Sequence, residues 1–179
     1  MRENFDRGLA LLVDLEGGET HHVADDPGGL TSGLGVTQST YDRYRQNKSL
    51  PLRTVADIEG KEAREIFKKG YWDICHCDDI PADLDLVVFA YAVNRGPVKS
   101  IKLMQRALGV KSDGDIGPVT EEAFLCCDVE LIIEMLLDYQ FHWYTKKRKS
   151  DKFTKGLGNR VLKVARFINL AYCPPDEFS

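Results

Sequence analysis

Glu16 closes a stretch, residues 3–16, in which Phe5, Leu9, Leu12 and Val13 recur at helical spacing, and Gly17-Gly18 follow at once. A carboxyl at the end of an apolar helix is partly withdrawn from water, which lifts its pKa toward the range of a working acid. Residues 25–35 then read Asp-Asp-Pro-Gly-Gly-Leu-Thr-Ser-Gly-Leu-Gly. Cleavage of a glycosidic bond needs a protonated acid on the leaving oxygen and a second carboxylate that activates water or stabilises positive charge. Asp25 or Asp26 can fill the second role, and Thr31 can hold the attacking water. The glycines, Gly29 among them, let a sugar approach the backbone closely. Taken alone, a Glu and an Asp at this separation also describe an ordinary polar surface, so the argument needs its context.

The elements that must position these groups are helical. After α-helical residues 3–16, the segment 19–36 is rich in Gly, Asp and Thr and reads as irregular or as a small hairpin. Thr37 can cap a second helix carrying Tyr41 and Tyr44. Residues 47–53 read as a loop, and residues 58–72 as a third helix with Ala63, Ile66, Phe67 and Trp72 on one face. Residues 82–94 are almost wholly apolar, the mark of a helix buried all round at the centre of a fold. Gly96-Pro97 ends it, and further helices are expected over 98–108, 118–126, 128–147 and 158–172. Strand-like alternation is almost absent. The expected class is therefore all-α, with at most a small hairpin near 19–36.

Several side chains are candidates for holding a sugar. Tyr41, Tyr44, Tyr71 and Trp72 could stack on sugar rings, although helix-face aromatics also build cores. Asn94 ends the buried helix, where a polar side chain either satisfies nearby backbone or points into a cleft. With Gly29 and Thr37 these make the candidate substrate contacts. No metal or cofactor is expected. His21-His22 lack a third ligand at suitable spacing. Asp113-Gly114-Asp115-Ile116-Gly117 lacks the ligands and closing Glu of a calcium loop and reads as a turn. The five cysteines, Cys75, Cys77, Cys126, Cys127 and Cys173, match neither a zinc knuckle nor a redox pair, and read as free thiols.

The net charge of −4 argues against nucleic acid as the main partner. The charge is uneven: from Tyr144 to Arg166 nine Lys or Arg face one acid, Asp151. That is either a solvated basic face or a patch that attracts an anionic polymer. No window reaches the roughly 18 apolar residues of a membrane span, so no stable membrane insertion is expected. The first residues are mixed in charge and read as a helix start rather than a Sec signal. If the target lies outside the cytoplasm, another route must carry the protein there.

The order of motifs resembles one family. Glu16, eight residues, Asp25, five residues and Thr31 resemble the catalytic spacing of phage-type lysozymes. More specifically, Glu16-Gly17-Gly18, Asp26-Pro27-Gly28-Gly29-Leu30-Thr31 and Gly35-Val36-Thr37 resemble glycoside hydrolase family 108. Gly70-Tyr71-Trp72, Ala92-Val93-Asn94-x-Gly96 and Leu103-Met104-Gln105-x-Ala107-Leu108-Gly109-Val110 follow in order. So do Asp113-Gly114-x-Ile116-Gly117-Pro118-x-Thr120 and Phe153-x-Lys155-Gly156-Leu157-x-Asn159-Arg160. The resemblance covers residues 5–165. It implies a lysozyme-like N-acetylmuramidase that cuts the β-1,4 bond from N-acetylmuramic acid to N-acetylglucosamine in peptidoglycan glycan strands, with Glu16 as acid. Such enzymes serve phage lysis or the release of a toxin or effector, so the resemblance implies synthesis in a bacterial cytoplasm and access to the periplasmic cell wall by a non-Sec or holin-like route, with a monomer expected. The resemblance also implies a division into a catalytic region, 1–98, and a peptidoglycan-binding-like helical region, 99–179, packed into the same globule. The chain departs from the family pattern at Glu19, where an aromatic is usual, and in one extra residue before Asp-Pro-Gly-Gly. Alignment on that motif selects Asp26 as second carboxylate, whereas the phage-lysozyme spacing selects Asp25. The alternative function is a protein of the same fold that binds peptidoglycan or a partner without cleaving it. The acid, the carboxylate and the threonine together favour the enzyme.

Overall fold

The computed structural model describes residues 2–16, 35–146 and 152–174, with side chains over 4–15, 35–144 and 158–174. Among these residues the helices follow in the order α1 (Arg2–Glu16), α2 (Gln38–Asn47), α3 (Gly60–Phe67), α4 (Leu84–Arg95), α5 (Pro97–Ala107), α6 (Pro118–Cys126), α7 (Val129–Lys146) and α8 (Lys152–Phe167). A 3-10 turn at Val55–Asp57 precedes α3, and a π-helical turn at Lys68–Trp72 continues it. The described residues contain no strand, and the fold is all-α as expected. Thr37 is a single bridge residue. The hairpin expected near 19–36 lies almost wholly outside the described residues.

The apolar run forms α4, and every residue from Leu84 to Ala92 is buried. A helix buried on all sides must be surrounded, and α1, α5 and α7 pack against it. The α1 contact is close because Gly8 has no side chain: a Cβ there would lie 3.0 Å from the Phe89 ring and 3.1 Å from Trp72. Phe5, Trp72 and Phe89 meet edge to face at 5.2–6.0 Å between ring centres.

The third helix expected over 58–72 is broken in two ways. Thr54 and Glu59 each cap a start, so the 3-10 turn and α3 begin separately. At the other end the backbone widens to i→i+5 bonding, Asp73 N to Lys68 O at 2.8 Å. The last helix was expected over 158–172 but runs earlier, over Lys152–Phe167. Asn169 takes φ +57° while Leu170 N bonds Ala165 O, a left-handed stop that ends it.

The 109–117 segment is a turn, as read. Buried Gln105 pins it, donating to Asp115 O at 2.8 Å and Asp113 Oδ1 at 3.0 Å while accepting from Gly114 N at 2.8 Å. All five cysteines are free thiols. Burial pushes the Cys77 thiol up, which leaves it inert. No helix of the described residues is long and apolar enough to cross a membrane.

Candidate active site

The geometry begins at the start of α1, where the side chains fix its direction. Asn4 Nδ2 donates to Asp85 Oδ2 at 2.9 Å, Arg7 pairs with Asp83 at 2.8 Å, and Gly8 lies under Phe89. These contacts pack the first half of α1 against the first half of α4, whose last turn carries Asn94 and Arg95. α7 arrives there too: Tyr144 OH donates to Asn94 Oδ1 at 2.9 Å, and the Arg95 guanidinium lies 3.6 Å from the Trp143 ring centre. α8 closes the group, Lys163 Nζ donating to Asp14 O at 2.8 Å, two residues before Glu16. α7 thus holds the end of α4, and α8 holds the end of α1. Lys163 sets a positive charge beside the last turn of α1.

A cleft of about 570 Å³ lies between α2, α3 with its π turn, and the first turn of α5. Thr40, Arg43, Tyr44, Asn47 and Lys48 form one wall, at helical spacing. Glu65, Ile66, Lys69, Gly70, Tyr71 and Ile74 form the other, and Pro97 and Val98 close one end. Pro97 stands two residues after the end of α4, so the cleft opens beside the C-terminal end of α4. Tyr44 OH donates to Glu65 Oε2 at 2.8 Å, and Lys48 lies 5.0 Å from the Tyr44 ring centre. Lys48, Lys69 and then Tyr44 hold the Glu65 carboxyl down at about 2, so it stays ionised. Burial, and after it the Glu65 carboxylate, pushes the Tyr44 phenol up.

Behind this wall sits a buried ionic knot. Glu62 accepts from Arg45 Nη1 at 2.8 Å, Arg53 Nη2 at 2.5 Å, Tyr41 OH at 2.7 Å and Glu59 N at 3.1 Å. Burial alone would raise the Glu62 pKa, but the Tyr41, backbone and Arg53 bonds outweigh it and hold the carboxyl below its usual range.

The candidate residues fall into three groups. Tyr44 and Tyr71 line the cleft, half-buried. Asn94 is exposed at the converging helix ends, its side-chain oxygen held by Tyr144. Thr37 is spent as the cap of α2, its Oγ1 accepting from Thr40 N at 3.3 Å. Trp72 corrects an expectation: it is fully buried, donates to Asp78 Oδ1 at 2.9 Å and offers no face to a sugar. The π turn is the physical reason, since it directs Tyr71 to the cleft and Trp72 into the core. Tyr41 is likewise buried, in the ionic knot. The side chain of Glu16, and the whole of Asp25, Asp26, Gly29 and Thr31, lie outside the described residues, as do His21-His22 and the side chains of 145–157.

Sequence reasoning missed Arg43, Lys48 and Lys69 in the cleft, although the spacing of residues 40, 43, 44, 47 and 48 marks one helix face. It also missed Arg95, Trp143, Tyr144 and Lys163, whose meeting spans some 50 to 149 residues of chain.

An all-α bundle with an open polar cleft beside the end of α4 can seat an extended polymer such as a glycan. Residues 9–96 match the glycosyl hydrolase 108 family, and the chain carries a domain of that family. Among solved structures, Brucella abortus SagA is similar, with 27% identity and a TM-score of 0.78, over 99% of each chain. No curated protein matches.

Proposed function

We propose that the protein is an N-acetylmuramidase that cuts the β-1,4 bond from N-acetylmuramic acid to N-acetylglucosamine in peptidoglycan. The observation that carries this reading is the glycosyl hydrolase 108 domain itself, which runs across both Glu16 and Asn94. Glu16 is the general acid. The second carboxylate comes from Asp25 or Asp26, and Thr31 holds the water. If water fits between acid and base, the two carboxyls stand roughly 6.5–9.5 Å apart and the product inverts. Tyr44, Tyr71, Asn94 and Gly29 contact the glycan, and Thr37 orders the backbone beside them.

Residues 1–98 form the catalytic region, and 99–179 a peptidoglycan-binding-like region whose α8 braces the acid-bearing helix end. The enzyme acts on the cell wall in phage lysis or in the release of a toxin or effector. The test is a wall-turbidity assay with Asp25→Asn against Asp26→Asn, folding checked by melting. The catalytic position loses activity and keeps stability. Full activity in both variants would overturn the paired-carboxylate mechanism.

A further inference from the structure

The cleft between α2, the π turn and α5 holds more charge than a neutral sugar needs. Three cations line it, Arg43, Lys48 and Lys69, against one carboxylate, Glu65. Glu65 is already engaged by Lys48, by Lys69 at 2.8 Å and by Tyr44. Arg43 is exposed and has no hydrogen-bond or ionic partner among the described residues. An uncompensated guanidinium on a concave surface suits a planar carboxylate, which it can grip with two parallel bonds. The lining is also partly apolar and open: Ile74 is 48% exposed and Val98 55%. At about 1.5 Å per helical residue, Lys48 stands roughly 12 Å along the wall from Thr40, room for an extended chain of a few residues.

Resting on the muramidase reading, we propose that this cleft is a subsite for the stem peptide of peptidoglycan. Its chemistry is that of a short chain bearing free carboxylates and small apolar side chains. Arg43 grips a carboxylate, with Lys48 and Lys69 supplying the surrounding positive field. Ile74 and Val98 meet its methyl groups. The subsite makes the enzyme prefer glycan that still carries its peptides.

The test measures kcat/KM for release of reducing ends from two substrates. One is intact peptidoglycan, the other the same glycan stripped of stem peptides by an amidase. The variants are Arg43→Ala, the Arg43→Ala/Lys69→Ala pair, and Lys111→Ala as a similarly exposed cation outside the cleft. Wild type should favour intact substrate. The double variant should lose about tenfold on intact substrate, as expected for two partly exposed charge pairs. It should change less than about twofold on stripped glycan, and Lys111→Ala should match wild type on both. An equal loss on both substrates, no loss on either, or a wild type indifferent to the peptides would overturn the subsite. A wild type that releases no reducing ends from either substrate would instead overturn the muramidase reading beneath it.

Discussion

Asp85→Asn should stabilise the protein at neutral pH and lose that advantage in acid. Asp85 is fully buried at the start of α4, where it accepts from Leu86 N at 2.7 Å and from Asn4 Nδ2 at 2.9 Å. Burial outweighs these bonds and pushes its carboxyl from 3.8 up to about 6. A raised pKa means the native state holds its proton more tightly than the unfolded chain. Below pH 3.8 both states are protonated and the site costs nothing. As pH rises from 3.8 through 6 the unfolded chain ionises first, and stability falls; above 6 the full cost is present. The difference of about two pH units corresponds to at most about 3 kcal/mol. Asparagine is neutral throughout, can accept from Leu86 N, and meets Asn4 after a rotation of that amide. At roughly 2–4 °C per kcal/mol for a domain of this size, Tm should rise by up to about 6–12 °C at pH 7.5 and change little at pH 4. Thermal melts at the two pH values decide it. A gain of equal size at both, or a loss at pH 7.5, would refute the reasoning. Activity should survive, because the α1 to α4 register is also held by the Arg7 to Asp83 pair and by Gly8 under Phe89.

Other substitutions probe the wall of the cleft and the converging helix ends. Glu62→Ala strands two arginines, Arg45 and Arg53, and should cost about 3–5 kcal/mol by denaturant unfolding; a loss below about 1 kcal/mol would show the knot to be dispensable. Gly8→Ala pushes a methyl into Phe89 and Trp72 and should cost about 1–3 kcal/mol, so an unchanged Tm would contradict the tight packing of α1 on α4. Tyr144→Phe frees Asn94, which is exposed enough to take up water, so stability should fall by about 1 kcal/mol or less while KM rises several-fold. An unchanged KM in that variant would remove Asn94 from the substrate contacts. Reductant should leave Tm and activity unchanged, because every cysteine is a free thiol.

Much of the architecture was legible because the signals were local. The apolar run over 84–92 could only be a helix buried all round, and Thr37, Gly96-Pro97 and the Asp113-Gly114 turn each mark an element end by their own backbone chemistry. Trp72 was legible as core from the face it shares with Ala63, Ile66 and Phe67, all buried; it was misread as a sugar contact only because an aromatic type suits either role. Asn169 carries a stop signal, since Asn is second to Gly in the left-handed conformation that ends helices, but the apolar residues beyond it extended the expected helix past its true end. The cleft was half legible: Tyr44 and Tyr71 attracted notice as aromatics, whereas Arg43, Lys48 and Lys69 looked like any solvated charges until α2 and α3 faced each other. The bracing of the end of α1 by α8 depends on a contact between residues far apart in sequence, Lys163 with Asp14, which no local pattern encodes.

The central claim, a muramidase whose acid is Glu16, is tested most directly by digesting purified peptidoglycan and reading the fragments by mass spectrometry, with Glu16→Gln alongside. The wild-type protein should yield muropeptides ending in reducing N-acetylmuramic acid. The folded Glu16→Gln variant should release them at least about 100-fold more slowly, the usual worth of a general acid. Fragments ending in reducing N-acetylglucosamine, or substantial release by a folded Glu16→Gln variant, would contradict the account.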